Sequence, residues 1–342
     1  MHAIIFSEHG GPHVLRYTEV SDPHVGPFEV LVKVHACALN HLDLWVRRGI
    51  PGIAIGMPHI PGSDIAGEVV KLGEHVTRAH MGDPVVLAPG ISCGHCEACI
   101  GGNDNMCRHY TLFGYGVAGG CAEYVKAPEA NVIPKPANLS FEEAAAFPLV
   151  FLTAWHMLIT RAKLEPGEDV LVLAGGSGVG SAAIQIAKAV GARVIATVGS
   201  EAKIEKAKAL GAEEVILRTK YKFSQEVRRL TDRRGVDVVF EHVGKDTWEE
   251  SLASLRAGGR LVTCGATTGY DAGIDIRYLF TRQYSILGSY MGTKAELHHV
   301  MKMIGRGELR AVIDRVMPLP HCAEAHARME RHDIFGKIVL QP

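Results

Sequence analysis

The sequence has almost no net charge and no long uninterrupted apolar run. Its 342 residues include 36 Lys and Arg against 37 Asp and Glu, for a formal net charge of -1. Without excess positive charge the chain has no long-range field to hold a nucleic acid or an anionic bilayer, so we expect neither as a partner. The most apolar stretch, 144–159, contains Pro148, Thr153 and His156. It is shorter than the roughly 20 residues that cross a bilayer, so it is predicted to be a buried element.

An export signal and a disulfide-type cysteine pattern are also missing. The first residues, MHAIIFSEHGG, contain no basic leader and no small-residue cleavage site after an apolar run. Of the 8 Cys, four lie between Cys93 and Cys107 and the others are scattered, unlike the cysteines of a stapled secreted domain. We therefore expect a cytoplasmic protein, and the cysteine cluster requires another explanation.

The length of the chain favours about two domains. The spacing of apolar residues also differs between its first and second halves. With 47% apolar and 21% charged residues, it can bury a globular core. Residues 30–88 hold short apolar runs separated by Gly, Pro and Asp, which is typical of an antiparallel β domain. After Pro166 and Gly167, strand-like runs alternate with helical periods. This alternation predicts an α/β fold with a doubly wound parallel sheet.

Six strands are expected in that sheet, and two of the helices between them should end at Gly191 and Gly211 in left-handed caps. The tail beyond Met291 contains strands that this sheet has no place for, so we expect it to return to the first domain. We assign 1–150, completed by 290–342, to the first domain and 151–289 to the second. The predicted strands are 169–174, 193–198, 213–217, 236–240, 259–265 and 284–289.

A glycine-rich turn follows the first strand of this series and precedes a helix. Such a turn alone is often only a tight turn, but this context favours dinucleotide binding. Backbone N–H groups and the positive end of the helix dipole would hold a pyrophosphate. Ser177 stands where the usual motif has its middle glycine, and its hydroxyl is able to donate to phosphate. The predicted contacts are Gly175, Ser177, Gly178, Val179 and Gly180.

The end of the second strand bears on the choice between NAD and NADP. Gly199 stands where a carboxylate would bind the ribose 2'-hydroxyl of NAD, and Ser200, Lys203 and Arg218 follow. A hydroxyl and two cations suit a 2'-phosphate, which favours NADP. In the alternative, the two cations are solvated surface charges and Glu201 takes the acid's role for NAD.

The cysteine cluster has the spacing of a metal site. Cys93, Cys96, Cys99 and Cys107 lie in a Gly-rich segment. Four thiolates close tetrahedrally around zinc and leave no position for a substrate, which is the geometry of a structural site. Two disulfides or free thiols are the weaker alternatives. We predict one structural zinc ion that stabilises a loop without a core of its own.

These segments, in this order, resemble the medium-chain dehydrogenase/reductase superfamily over essentially the whole chain. The resemblance implies a GroES-like β domain, a Rossmann domain and an active site in the cleft between them. It also implies that Thr153 and Val179 pack near the nicotinamide, and that 241–244 and 264–266, including Val243 and Gly265, line the cofactor. Pairing of the edge strand YSILGS in a homodimer or a homotetramer is a further implication.

The sequence departs from the zinc alcohol dehydrogenases at the catalytic metal. Asn40 stands at the position of the first Cys ligand, Ser63 at that of the His ligand, and FPLVFLTAW offers no third ligand. Without thiolate or imidazole at these points the usual catalytic zinc is not expected. The segments LNHLDLWVRRG and PGSDIAG instead resemble the quinone oxidoreductase-like branch, although that branch usually lacks the cysteine-rich lobe.

The first functional hypothesis is hydride transfer from NAD(P)H to a quinone or an α,β-unsaturated carbonyl without a catalytic zinc. Asn40 is the proposed donor to the developing oxyanion, or alternatively an amide that satisfies backbone near a turn. Asp43 would orient this segment or the cofactor. Asp64 would be a proton-relay group, or would only fix its own loop. Trp45 and Trp155 are either an aromatic wall or core residues.

Two alternatives remain open. One is an alcohol dehydrogenase with a catalytic zinc held by unconventional ligands drawn from His41, Asp43, His59 and Asp64. The other is a cofactor-binding protein without enzymatic activity, because relatives of quinone oxidoreductases include lens structural proteins.

Overall fold

The computed structural model describes residues 1–342. These residues form two compact units, Met1–Leu149 with Thr293–Pro342, and Val150–Gly292. The division falls close to the domain limits that the sequence predicts. No helix of the chain is both long and apolar enough to span a bilayer.

Unit 1 consists mainly of strands, and in unit 2 strands alternate with helices, as the spacing of apolar residues suggests. The first part of unit 1 contains β1 (His2–Ile5), β2 (Arg16–Glu19), β3 (Glu29–Ala38), α1 (His41–Arg48), β4 (Asp64–Leu72), β5 (Pro84–Leu87), β6 (Gly90–Ile91), α2 (Glu97–Ile100), β7 (Thr111–Leu112), β8 (Tyr124–Pro128), β9 (Val132–Pro134) and α3 (Phe141–Ala145). Helix α4 (Pro148–Trp155) leads into unit 2, which contains β10 (Asp169–Val172), α5 (Gly178–Val190), β11 (Arg193–Val198), α6 (Ile204–Ala209), β12 (Glu214–Leu217), α7 (Phe223–Leu230), β13 (Val236–Glu241), α8 (Lys245–Ser254), β14 (Leu255–Thr263), α9 (Ile276–Thr281) and β15 (Ser285–Gly288). The tail contains α10 (Lys294–Gly305), β16 (Ile313–Pro318), α11 (Cys322–Glu330) and β17 (Lys337–Gln341).

Unit 2 is the doubly wound sheet that the sequence predicts. Its six strands lie in the order β12-β11-β10-β13-β14-β15, and each neighbouring pair is parallel. The chain adds β11 and β12 on one side of β10 and then crosses over to add β13, β14 and β15 on the other side. In α/β sheets, ligands bind at the carboxyl ends of the strands where the order changes direction in this way, here between β10 and β13. Gly191 and Gly211 have φ angles of 91° and 116°, so both helices end in the left-handed conformation expected from the sequence.

Unit 1 is built on a mixed sheet of seven strands in the order β16-β17-β3-β4-β5-β9, with β8 also pairing with β3. The core of this unit lies under the sheet and consists of buried aliphatic residues such as Val32, Leu44, Ile65 and Leu340. Strand β17 pairs antiparallel with β3, where Val339 faces Ala38. The tail thus belongs to unit 1, and β17 lies next to the segment that begins at Asn40.

Candidate functional site

The glycine-rich turn lies at the reversal of strand order in unit 2. Ser177 is the N-cap of α5, and its side-chain oxygen accepts a hydrogen bond from Gly180 N at 2.9 Å. A Cβ on Gly180 would lie 2.4 Å from the carbonyl oxygen of Ala174, so only glycine allows this approach of helix to strand. Amides in the first turn of a helix have no carbonyl partner within it and, with the positive end of the helix dipole, are able to bind an anion. The Ser177 hydroxyl hydrogen remains available for a phosphate oxygen.

The end of β13 and the loop after it lie beside this turn, and they contain Glu241 and His242 of the segment 241–244 that the family resemblance places along the cofactor. The buried carboxylate of Glu241 accepts hydrogen bonds from Val243 N, Gly244 N and Thr247 Oγ1 at 3.0, 2.9 and 2.8 Å. His242 Nε2 lies 3.0 Å from the carbonyl oxygen of Leu173 and 3.5 Å from Ser177 Oγ. Burial lowers the pKa of His242, so its ring is a neutral hydrogen-bonding group.

The other residues predicted to bind the cofactor are placed as follows. A Cβ on Gly265 would lie 3.1 Å from the carbonyl oxygen of His242, so the loops after β13 and β14 are in contact. Val243 is buried in the same region. Thr153 is a buried residue of α4 whose hydroxyl lies 4.0 Å from the sulfur of Met291.

The region after β11 contains the two cations that would bind the 2'-phosphate of NADP and also the carboxylate that would bind the ribose of NAD. The backbone N–H of Arg218 donates to the carbonyl oxygen of Val198, which brings Arg218 beside Gly199 and Ser200. Lys203 N donates to Ser200 O in a short turn that also contains the exposed Glu201. A Cβ on Gly199 would meet nothing within 4 Å, so there is space here for a ligand. Lys203, Arg218 and Glu201 thus all lie near the carboxyl end of β11.

The four predicted zinc ligands form a compact thiol group in unit 1. The four Sγ atoms, of Cys93, Cys96, Cys99 and Cys107, lie within 4.8 Å of one another. The Sγ–Sγ distances are 3.9 Å for Cys93–Cys99, 3.5 Å for Cys96–Cys99 and 3.6 Å for Cys93–Cys107. Tetrahedral thiolates at the usual Zn–S distance are separated by about 3.8 Å, so the residues present fit a zinc ion.

The segment that carries these thiols, residues 93–107, is called the cysteine lobe here, and it is anchored to the start of α10. Asp104 accepts a hydrogen bond from Lys294 N at 3.0 Å and lies 3.6 Å from Lys294 Nζ, which also donates to Ser92 Oγ at 3.1 Å. The lobe is mostly partly exposed and has few buried apolar residues of its own. A zinc ion held by the four thiolates would supply order to this lobe in addition to these polar contacts.

The predicted catalytic side chains converge in the core of unit 1. Asp43 Oδ2 accepts from Asn40 N at 2.6 Å, and Asp43 Oδ1 accepts from Gly62 N at 2.8 Å. Burial raises the pKa of Asp43, opposed by the nearby His326 and by these amide hydrogen bonds. Asp43 thus holds the start of α1 to the segment that leads into β4.

Asp64 and Asn40 form a second pair with a partner that the sequence analysis missed. Asn40 Nδ2 donates to Asp64 Oδ2 at 2.9 Å, and Leu149 N donates to Asp64 Oδ1 at 2.8 Å. Lys337, at the start of β17, donates from Nζ to Asn40 Oδ1 at 2.5 Å and to Asp64 Oδ2 at 2.8 Å. All three side chains are at least nine-tenths buried. Lys337 is 297 residues from Asn40 in sequence, so no local pattern could have indicated it.

The donor set at the expected position of the catalytic metal does not fit zinc. Asn40 carries an amide that is already bonded at both ends, and the Ser63 hydroxyl donates to the carbonyl oxygen of Phe113 at 2.7 Å. The carboxylates of Asp43 and Asp64 are occupied by backbone amides and by Lys337. Zinc requires thiolate, imidazole or carboxylate ligands that are free to converge on it.

The unconventional ligand set is not assembled either. Apart from the four cysteines, no three His, Cys, Asp or Glu ligand atoms lie within 4.8 Å of one another. His41 packs edge-on against Trp45, with ring centroids 5.1 Å apart, and His59 packs edge-on against Phe6. Burial lowers the pKa of His59. The replacement site that was an alternative from the sequence is therefore not present in this arrangement.

Two family models match this chain. Residues 26–137 match the family model described as "Alcohol dehydrogenase GroES-like domain", and residues 178–306 match "Zinc-binding dehydrogenase". The chain belongs to the medium-chain dehydrogenase/reductase superfamily. It is an NAD(P)-dependent oxidoreductase, so the alternative of a protein without enzymatic activity is set aside.

The proteins that are similar to this chain have different named activities. The structure of an NAD-dependent alcohol dehydrogenase is 47% identical, with a TM-score of 0.97 and 100% of both chains covered. A quinone oxidoreductase of Pseudomonas aeruginosa is 33% identical over 99% of both chains. A crotonyl-CoA carboxylase/reductase of Cereibacter sphaeroides is 30% identical over 96% of this chain and 84% of its own length. The enzyme thus acts on a small-molecule substrate, and the relatives do not agree on its class.

Proposed function

We propose that this enzyme reduces a quinone or an α,β-unsaturated carbonyl with NADPH and uses no catalytic metal. The observation that carries the proposal is the donor set around Asn40 and Ser63, in which each group with metal-binding capacity is committed to another protein group. Quinone and crotonyl-CoA reduction are named activities of relatives that cover almost the whole chain.

When bound, the nicotinamide supplies a hydride, and the substrate carbon that accepts it becomes part of an enolate or hydroquinone anion that is then protonated by water. The protein's task is to bind, to orient and to stabilise the negative charge on oxygen. Asn40 has one amide hydrogen beyond the hydrogen bond to Asp64. That hydrogen is the proposed donor to the oxyanion, and Asp43 fixes the backbone that carries it.

The proposed cofactor preference is NADP. Lys203 and Arg218 would bind the 2'-phosphate beside Gly199 and Ser200, with NAD as the alternative through Glu201. Lys203→Ala and Arg218→Ala should each weaken NADPH binding about tenfold and leave NADH binding nearly unchanged, since each removes a charge-assisted contact. Equal effects on both cofactors, measured by fluorescence titration, would contradict the assignment.

A substrate panel with each nicotinamide cofactor tests the proposed reaction. Rates are measured with 2-cyclohexenone, 1,4-naphthoquinone, primary and secondary alcohols and the matching aldehydes, on protein of known zinc content. We expect reduction of the enone or quinone with about one zinc per chain, and little alcohol oxidation. Alcohol oxidation that requires a second zinc ion would replace the proposal with the alcohol dehydrogenase alternative, which the 47% identical structure favours.

The enzyme is proposed to be a homodimer or a homotetramer in a reducing, cytoplasmic setting. Strand β15 is one of the two edge strands of the unit 2 sheet, the other being β12. Large apolar side chains are exposed on β15 and on the preceding α9, namely Ile276, Tyr278, Phe280 and Ile286. An apolar patch of this kind on a sheet edge is typical of an interface between copies.

A further inference from the structure

Lys337 is a buried lysine for which the proposed reaction gives no role so far. It is 3% exposed, and Lys side chains are almost never buried in this way unless their charge is paired. Its partners are Asn40 and Asp64. The ammonium group thus contacts the side chain that is proposed to donate to the substrate.

Lys337 and Asp64 together determine which way the Asn40 amide faces. An ammonium group only donates hydrogen bonds and a carboxylate only accepts them. The amide oxygen must therefore face Lys337 and the amide nitrogen must face Asp64, as they do at 2.5 and 2.9 Å. A flipped amide would put NH2 against NH3⁺ and an oxygen against a carboxylate, which is repulsive at both ends.

The same two groups determine the charge around the amide. Lys337 balances the negative charge of Asp64, which would otherwise oppose the formation of an oxyanion nearby. A cation on the amide oxygen also polarises the amide and strengthens its remaining N–H as a donor. Removing Lys337 therefore weakens the donor and leaves an uncompensated buried carboxylate beside it.

We propose that Lys337 is a positioning residue for reduction, which orients and polarises the Asn40 amide and cancels the charge of Asp64. This inference depends on the proposed function of Asn40. It assigns to the last strand of the chain a part in the reaction, although Lys337 itself does not touch the substrate.

The test is a double-mutant cycle between Lys337 and Asn40, read as the single-turnover rate of hydride transfer from bound NADPH. Asn40→Ala should lower this rate about a hundredfold, which is the usual loss for one oxyanion donor. Lys337→Met should lower it at least about tenfold with little change in KM or in NADPH affinity. In the double variant, Lys337→Met should slow the reaction less than it does alone, because the part of its effect that passes through the Asn40 amide is already lost.

Two further variants separate positioning from folding. Asp64→Asn/Lys337→Met leaves no unpaired buried charge, so it should fold while still losing rate. Lys33→Met removes an exposed lysine of β3 and should match the unmodified enzyme. Unchanged rates in both Lys337 variants, or losses that multiply with that of Asn40→Ala, would overturn the inference. If the unmodified enzyme reduces no enone or quinone, the proposed function fails first, which is a different result.

Discussion

At the scale of single residues, the side chains at positions 40 and 63 decide whether this fold can bind a catalytic zinc ion. The family resemblance implies that Asn40 and Ser63 stand where zinc alcohol dehydrogenases have a thiolate and an imidazole, and both groups are used in hydrogen bonds within unit 1. Neither is a good zinc ligand.

Within the glycine-rich turn, Gly180 makes the closest approach to another backbone segment. In Gly180→Ala the new Cβ would lie 2.4 Å from the carbonyl oxygen of Ala174, so the turn and the start of α5 must move apart. We expect NADPH affinity to fall by at least about tenfold, since the first-turn amides lose their alignment with the pyrophosphate. Titration of the cofactor fluorescence measures this.

Gly273→Ala is the matched control, because a Cβ there meets nothing within 4 Å. It should bind NADPH like the unmodified enzyme. Equal affinities for the two alanine variants would show that the turn does not hold the cofactor in the way described.

Asp237 should make stability depend on pH. Burial by itself would raise the pKa of Asp237, but hydrogen bonds from Arg234 and Arg256 hold it below its usual value. A lowered pKa means that its contribution is present above the pKa of the unfolded chain, about 4, and is lost as the pH falls through the folded value. Asp237→Asn should therefore cost about 2 kcal/mol at pH 7.

Urea unfolding of the two proteins at pH 7 and at progressively lower pH checks this prediction. The difference in unfolding free energy should shrink below about pH 4, as Asp237 becomes protonated. A difference that stays constant over this range would mean that the carboxylate charge contributes nothing.

At the scale of elements, the cysteine lobe is the segment whose order depends most on a bound ion. Removal of zinc with a chelator, or by Cys96→Ser, should increase amide hydrogen exchange between residues 93 and 107 and lower the midpoint of thermal unfolding. NADPH binding should be kept, because the turn that holds it belongs to unit 2.

The comparison of exchange rates before and after chelation gives the answer for each segment separately. The amides of α5 serve as the internal control and should not change. Unchanged protection of the lobe after complete loss of zinc would contradict the structural role of the four thiolates.

Elements formed by local patterns were those that the sequence could predict. The strands of unit 2 follow from runs of β-branched residues, and the left-handed ends at Gly191 and Gly211 from the need for positive φ. The cysteine cluster is local too, because its ligands lie within a short loop. The contact of Lys337 with Asn40 and Asp64 depends on the pairing of β17 with β3, which no spacing in the sequence encodes.

At the scale of the whole molecule, the exposed edge of unit 2 leads to a prediction about assembly. Ile286 on β15 and Phe280 on α9 are 37% and 65% exposed. If this edge pairs with a second copy, Ile286→Lys should shift the protein toward monomers, because a charge would be buried in the interface.

Sedimentation velocity over a range of concentrations measures the effect. Val316→Lys places the same charge on another exposed apolar residue, in unit 1, and should leave the assembly unchanged. A monomeric unmodified protein, or an Ile286→Lys variant of unchanged mass, would exclude this edge as the interface.

The most direct test of the account is anomalous diffraction at the zinc absorption edge, from crystals of the active enzyme with bound NADP. We predict a single anomalous peak per chain, at the centre of Cys93, Cys96, Cys99 and Cys107. A second peak beside Asn40 and Ser63 would contradict the claim that this enzyme transfers hydride without a catalytic metal.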